Sequence, residues 1–191
     1  MPSALYTHPA CRLHAMGSGH PECPERLDAI ADQLRASGLS DWIEQRQAPQ
    51  ASLADLQRAH ESLLLAQLKD QSQQASQSRH GLVQIDPDTA VNGHSWEAAL
   101  RAAGAAVAAT DAVLAGELDT AFCAVRPPGH HACRSQAMGF CLLNNVAVAA
   151  LHALEARGLS RVAIVDFDVH HGNGTEDIVA GDERILMVSF F

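Results

Sequence analysis

Residues 166–173, read as DFDVHHGN, bring two carboxylates and two adjacent imidazoles into one short segment. They follow residues 161–165, an apolar and β-branched run that predicts a buried strand. Charged groups at the end of a buried strand are costly to desolvate unless they are paired or bind a metal. Carboxylate oxygen and imidazole nitrogen are also ligands that Zn²⁺ accepts. The segment therefore predicts part of a metal site.

A second polar cluster, His130-His131, follows the rigid sequence Pro127-Pro128-Gly129. Two histidines in a loop are usually exposed to solvent, and an Asp-rich strand end can simply cap the next helix. The prolines favour a fixed backbone, however, and each cluster comes just after a predicted strand. Parallel strands end at a common edge of the sheet, where α/β proteins form their sites. We therefore expect both clusters to belong to one active site.

The elements that hold these loops alternate between strands and helices in the second half of the chain. Three apolar runs, 120–125, 161–166 and 184–190, predict strands, and helices are predicted over 144–157 and around 176–179. Upstream, the pattern predicts helices over 24–37, 53–69 (interrupted) and 96–115 (capped by Ser95), with an exposed Gln- and Ser-rich loop over 70–80. Alternation of this kind predicts one α/β domain, 1–191, with a mostly parallel β-sheet and helices on both faces.

The composition is that of an ordinary folded domain with an acidic charge balance. The 191 residues are 47% hydrophobic and carry a formal net charge of −9, which argues against nucleic acid as a main partner. No apolar stretch reaches the ~20 residues of a membrane span, and the N-terminus lacks the features of a signal peptide. Five cysteines at uneven spacing indicate free thiols in a reducing compartment. We expect a cytoplasmic protein with no membrane or nucleic-acid partner.

Three longer motifs resemble one known family. Residues 126–132 (RPPGHHA), 139–147 (GFCLLNNVA) and 166–175 (DFDVHHGNGT) are similar to the signature motifs of the zinc-dependent histone deacetylases. That family includes acetylpolyamine amidohydrolases and acetoin-utilisation proteins. Residues 19–27 (GHPECPERL) resemble its N-terminal motif. Asn173, where class I enzymes tend to carry Asp, makes the chain resemble the class II branch and its bacterial histone deacetylase-like amidohydrolases.

The resemblance implies an arginase/deacetylase-like fold and a role for each matching residue. Asp168 and His170 match two of the three zinc ligands of the family, and His130 and His131 match its catalytic histidine pair. The other implied roles are orientation of His130 by Asp166, contact of Asn173 with His131, a tunnel wall formed by Gly139 and Phe140, and a structural potassium site. That potassium site comprises main-chain oxygens of Asp166, Asp168 and His170, together with Ser189 and Phe190.

The implied activity is hydrolysis of an acetyl-lysine or acetylpolyamine amide by an activated water. Zn²⁺ lowers the pKa of a bound water toward ~7 and polarises the amide carbonyl. A histidine of near-neutral pKa can take the proton of the water and return it to the leaving amine. The resemblance thus implies one Zn²⁺, a structural K⁺ and an acetylated lysine or polyamine as substrate. It leaves open whether the protein is a homo-oligomer.

A two-metal, arginase-like site is the related alternative, because it shares the fold and an Asp-x-His motif. Such a site has a further carboxylate two positions after the histidine, which bridges to a second metal. That position is Gly172 in this chain, so the single-metal prediction is favoured.

Two parts of the family's site have no counterpart in the sequence. A catalytic zinc needs three protein ligands, and the family's third ligand, an Asp in a downstream motif, does not follow His170. The family's oxyanion tyrosine is also missing, because the one tyrosine is Tyr6. We therefore expect an incomplete domain, truncated at the C-terminus, that is inactive alone. It would be a fragment of an active deacetylase, a catalytically dead interaction or regulatory module, or one half of an assembled enzyme.

Overall fold

The computed structural model describes residues 2–191, in which strands and helices alternate along the chain. The strands are β1 (Ser3–Thr7), β2 (Glu44–Gln47), β3 (Leu82–Gln84), β4 (Ala90–Asn92), β5 (Thr120–Cys123), β6 (Val162–Asp166) and β7 (Ile185–Ser189). The helices are α1 (Ala10–Leu13), α2 (Glu25–Ala36), α3 (Leu53–Ala59), α4 (Ser62–Gln77), α5 (Ser95–Leu114), α6 (Asn145–Glu155) and α7 (Asn173–Val179), with a short 3₁₀ helix over Leu39–Asp41.

Five of the strands pair in parallel, which confirms the predicted α/β class. β1 lies between β2 and β5, with Leu5 opposite Phe122 of β5. β6 and β7 form a second parallel pair, with Ile164 opposite Met187. β3 and β4 form a separate antiparallel hairpin. Parallel neighbours need long crossover connections, and the helices of the chain lie in those connections.

The alternation of side chains along β1 divides the core between two helices. Ala4 and Tyr6 pack in one cluster with the alanine-rich α5, whereas Leu5 packs in another cluster with Leu27 of α2. Successive side chains of a strand point to opposite faces of a sheet. The sheet that contains β1 therefore has a helix on each face, as the sequence predicts. α5 also packs against α6, which covers the inner face of β6.

The outer face of the β6–β7 pair is open and apolar. Ile164 and Met187 belong to or pack against the main core on the inner face. On the opposite face, Val165 is 58% exposed and Leu186 is 64% exposed. The strand predicted over 161–166 is thus buried on one face only. Parallel strands are normally covered on both faces, and the side chains of this outer face are apolar, as in covered strands.

The predicted loop over 70–80 is wrong, because α4 continues to Gln77. The buried positions in the second half of α4 are Leu68, Ser72 and Ala75. They follow a helical spacing, but one of the three side chains is polar and one is small. The Ser72 hydroxyl donates to the Asn92 carbonyl at 2.8 Å, which satisfies it in the core. Apolar periodicity could not reveal a helix of this kind.

Two further predictions needed correction. β5 ends at Cys123 rather than at Val125, and its Phe122 is 48% exposed, so it is not a fully buried strand. Ser95 is the first residue of α5 instead of its cap, and its hydroxyl accepts the Asn92 N–H. The interruption predicted within 53–69 is confirmed by the break between α3 and α4. Over residues 2–191, no helix is both long and apolar enough to cross a membrane.

Candidate active site

The loops after β5 and β6 meet at one cavity of about 310 Å³. Of the residues singled out from the sequence, the cavity is lined by His130, His131, Gly139, Phe140, Asp168 and His170. It is also lined by residues to which the sequence assigned no role, namely Pro21, Glu22, Arg26, Asp88, Val125, Arg126, Pro128 and Cys141. The two polar clusters, separated by more than thirty residues in the sequence, therefore lie together in space.

His130 is oriented by a largely buried carboxylate. Its Nδ1 lies 2.8 Å from Oδ2 of Asp166, whose side chain is only 11% exposed. A carboxylate oxygen accepts, so Nδ1 carries the hydrogen and donates it. Nε2 is then directed toward the cavity, 3.9 Å from Oδ2 of Asp168. This arrangement fixes the ring and stabilises positive charge on it.

His131 is oriented by an amide instead. Its Nδ1 lies 2.6 Å from Oδ1 of Asn173. The Asn173 amide nitrogen donates to Sγ of Cys133 at 3.8 Å and to Sδ of Met138 at 3.6 Å, so its oxygen faces the imidazole. The ring centroids of His130 and His131 are 4.0 Å apart. The neutral partner gives His131 less electrostatic support for a proton than Asp166 gives His130.

Gly139 stands directly against His131, and Phe140 next to it lines the same cavity. Gly139 has a φ of +56°, and a Cβ there would lie 2.6–2.9 Å from carbons of the His131 side chain. Both the conformation and the close approach therefore require glycine. Phe140 also has a positive φ of 68°, and its N–H donates to the Thr89 hydroxyl at 2.9 Å. Its ring meets the edge of His20 at a centroid distance of 4.6 Å.

Asp168 and His170 present two donors that fit a zinc ion. Oδ2 of Asp168 lies 3.1 Å from Nδ1 of His170, and both side chains are open to the cavity. The His170 N–H also donates to the carboxylate and lowers the pKa of Asp168. Oxygen and imidazole nitrogen are suitable zinc ligands. Within residues 2–191, however, no group of three or more His, Cys, Asp or Glu side chains is placed to hold a metal ion.

The end of β7 has a buried oxygen that fits a second cation. Oγ of Ser189 is buried and has no hydrogen-bond partner, and Ser189 lies opposite Asp166 in the β6–β7 register. The carbonyl of Asp166 accepts the Phe190 N–H at 2.9 Å, which leaves one of its two lone pairs. A buried, unpartnered hydroxyl and the remaining lone pair of a carbonyl, both at the same end of the β6–β7 pair, are oxygen donors of the kind that K⁺ accepts.

A buried ion pair in the wall of the cavity was not predicted from the sequence. The Arg126 side chain donates through two nitrogens to the carboxylate of Glu22, and the two side chains are 3% and 4% exposed. Nη1 of Arg126 also donates to the carbonyls of Cys11 and His14, at 2.8 and 2.9 Å. The ring of His14 bonds to the Ser95 hydroxyl, and burial lowers its pKa to about 3. In the sequence, the one signal that these two residues have a role was that Glu22 and Arg126 each lie in a motif that resembles a motif of the family.

Comparison with known proteins identifies the family of the chain. The histone deacetylase domain matches residues 20–191. The histone deacetylase-like amidohydrolase of Pseudomonas aeruginosa is 42% identical over 172 residues, which are 90% of this chain and 44% of that protein. Polyamine deacetylase HDAC10 of Mus musculus is 40% identical over 192 residues, covering 97% of this chain and 27% of that protein.

A solved structure gives the same result for the fold. The crystal structure of the HDA15 HD domain is similar with a TM-score of 0.91 at 37% identity, over 98% of this chain and 52% of that chain. The chain thus spans about half, or less, of the length of these relatives. Because the domain match covers most of the sequence and the fold agrees with it, the chain belongs to the histone deacetylase family.

Proposed function

We propose that this chain supplies the histidine pair and two zinc ligands of a deacetylase that hydrolyses acetyl-lysine or acetylpolyamine amides. The observation that carries the proposal is the meeting of His130 and His131 with Asp168 and His170 around one cavity. Membership of the histone deacetylase family supports the class of reaction.

The two histidines have different electrostatic settings, which suits them to different parts of one proton transfer. Asn173 holds His131 with its hydrogen on Nδ1, so Nε2 is free to accept a proton from the attacking water. The carboxylate of Asp166 holds His130 in the same tautomer and supports positive charge on it. The pair then returns the proton to the leaving amine. Zn²⁺, when bound, would activate the water and polarise the amide carbonyl.

The lining of the cavity and the net charge of the chain support a slender, acylated amine as substrate. Gly139 stands against the ring of His131 and Phe140 lines the same cavity, so the space beside this ring is restricted. The chain has a formal net charge of −9, which favours cationic molecules such as basic peptides and polyamines. Potassium at Ser189 would be structural, because it would tie the end of β7 to the loop that carries Asp168.

We further propose that the third zinc ligand and the oxyanion donor come from another deacetylase segment, in the same polypeptide or in a partner. The two donors Asp168 and His170 fall one short of a catalytic zinc site. The open outer face of β6–β7, with Val165 and Leu186 exposed, offers an apolar surface for such a segment. The relatives are about twice as long as this chain or longer.

Assembly of a complete domain tests the proposal. The chain is fused to, or co-expressed with, the region of the Pseudomonas aeruginosa amidohydrolase that follows the matched residues. We expect one zinc per assembly and hydrolysis of an acetyl-lysine peptide or an acetylpolyamine, with neither for the chain alone. His131→Ala should lower kcat by about 10²-fold or more, and Asp168→Ala should abolish zinc binding. The exposed His80 is the control, and His80→Ala should leave both unchanged.

Two results would contradict the proposal. Full activity of the purified 191-residue chain would show that no further segment is needed. A stable assembly without zinc or hydrolysis would instead favour the interaction or regulatory module.

A further inference from the structure

The loop that carries the histidine pair is held from behind by buried donors of three separate elements. Thr175 N–H donates to the His130 carbonyl, Asn144 Nδ2 to the Ala132 carbonyl and His60 Nδ1 to the Cys133 carbonyl, each at 3.0 Å. Thr175 and Asn144 are completely buried, and His60 is 2% exposed. Helix α7 also touches the loop so closely that a Cβ on Gly174 would lie 2.4 Å from the Ala132 oxygen.

His60 can make both of its contacts in only one protonation state. The Cys133 carbonyl can only accept, so Nδ1 of His60 carries the hydrogen. The Asn144 N–H donates to Nε2 at 2.9 Å, so that nitrogen must be unprotonated. The neutral imidazole therefore connects the histidine loop to the start of α6. Burial lowers the pKa of His60 to about 4, and the charge of Arg134 acts in the same direction.

The segment around His60 is hydrogen-bonded to the histidine loop at several residues. His60 ends α3, and the next N–H, that of Glu61, donates to the Arg134 carbonyl at 2.9 Å. The Arg134 guanidinium in turn donates to the carbonyl of Arg58 at 3.3 Å. His60 itself stands behind the loop, outside the set of residues that line the cavity. Its contacts thus act on the backbone that follows the histidine pair and on no substrate.

We infer that His60 is a positioning residue whose neutral imidazole fixes the loop of His130 and His131 against α6 and so sets where the two imidazoles stand in the cavity. The catalytic consequence rests on the proposed function, whereas the effect on the loop does not. Loss of a purely structural histidine would destabilise the whole chain equally. Loss of a positioning residue would loosen residues 126–135 before the rest of the chain.

The isolated 191-residue chain gives the first test, by hydrogen exchange and by NMR of ¹⁵N-labelled histidines. His60→Leu removes both hydrogen bonds, His60→Gln retains an amide donor and acceptor, and His80→Leu is the exposed control. We expect His60→Leu to speed exchange in residues 126–135 at least about tenfold, with β1 unchanged and a smaller effect of His60→Gln. At pH 7 the His60 signal should show hydrogen on Nδ1 alone.

Unchanged exchange in 126–135, a uniform increase along the chain, or hydrogen on Nε2 of His60 would overturn the inference. The assembled domain gives the second test. There His60→Leu should lower kcat by about 10²-fold with KM near the wild-type value, and His60→Gln should restore part of the loss. A wild-type kcat, or a rise in KM alone, would contradict positioning. If the wild-type assembly shows no hydrolysis, the proposed function fails, and the exchange and NMR results still decide the inference.

Discussion

Removal of the Arg126 guanidinium should destabilise the chain far more than removal of an exposed arginine of equal size. Arg126 makes a two-pronged ion pair with Glu22 and donates to two further carbonyls, all in a region that is almost fully buried. Arg126→Met keeps an apolar chain of similar length but leaves the Glu22 carboxylate without its partner. The N-terminal loop would lose its main attachment to the cavity.

The expected size of the effect follows from burial. Breaking a buried ion pair by removing one partner costs about 3–5 kcal/mol, because an uncompensated charge remains in the interior. The Arg12–Asp28 pair is the matched control, since it is also two-pronged but its side chains are 49% and 44% exposed. Exposed pairs contribute about 0–1 kcal/mol. Arg126→Met should therefore lower the free energy of unfolding by at least about 3 kcal/mol, and Arg12→Met by less than about 1 kcal/mol.

Urea unfolding at pH 7 measures both values from the midpoint and slope of the transition. A third variant, Arg126→Met with Glu22→Leu, separates the buried charge from the lost contacts. Replacing both members of a buried pair by apolar side chains is often tolerated, so the double variant should recover part of the loss. Equal free energies of unfolding for Arg126→Met and Arg12→Met would contradict this prediction. So would a double variant whose loss equals the sum of the losses of Arg126→Met and Glu22→Leu measured separately.

Two other predictions concern the pH dependence of stability and the glycine that contacts His131. Burial lowers the pKa of His60 from 6.5 to about 4 and that of His14 to about 3, so the unfolded state binds protons first as the pH falls. The free energy of unfolding should be at its full value above about pH 6.5 and should fall progressively toward pH 4 and below, by about 3 kcal/mol from His60 alone. A urea midpoint that stays constant over this pH range would contradict the assignment. Gly139→Ala should displace the His131 ring and slow deacetylation by the assembled domain at least about tenfold. Gly181→Ala, at a φ of +84° with open space around it, should leave the rate unchanged, and equal losses in the two variants would exclude the proposed contact.

The sequence predicted the elements whose physical signals are local. The apolar, β-branched run before Asp166 predicted β6, and the pair Asn144-Asn145 offered two candidate caps for α6, of which Asn144 is the cap because its side chain accepts the Ala147 N–H. Strand ends also indicated where polar loops would gather. These signals depend on neighbours within one turn or one strand, so a single sequence contains them.

The remainder depended on contacts between distant positions. Residues 70–77 are helical because Ser72 and Ala75 are accommodated in the core. A pattern of apolar residues cannot predict burial of a serine. The Glu22–Arg126 pair joins residues 104 positions apart, and neither charge by itself indicates burial. Val165 is exposed although it lies in a predicted buried strand, because a run of apolar residues cannot distinguish a strand covered on one face from a strand covered on both.

The coordination of zinc in the assembled domain is the sharpest test of whether Asp168 and His170 hold the metal. X-ray absorption at the zinc edge counts the imidazole ligands, and we expect a single imidazole, that of His170, with oxygen donors in the other positions. His170→Ala should remove the imidazole contribution or the zinc itself, whereas His131→Ala should preserve it and still abolish most of the hydrolysis. Two or more imidazoles on the zinc, or an unchanged spectrum in His170→Ala, would contradict the assignment of the site.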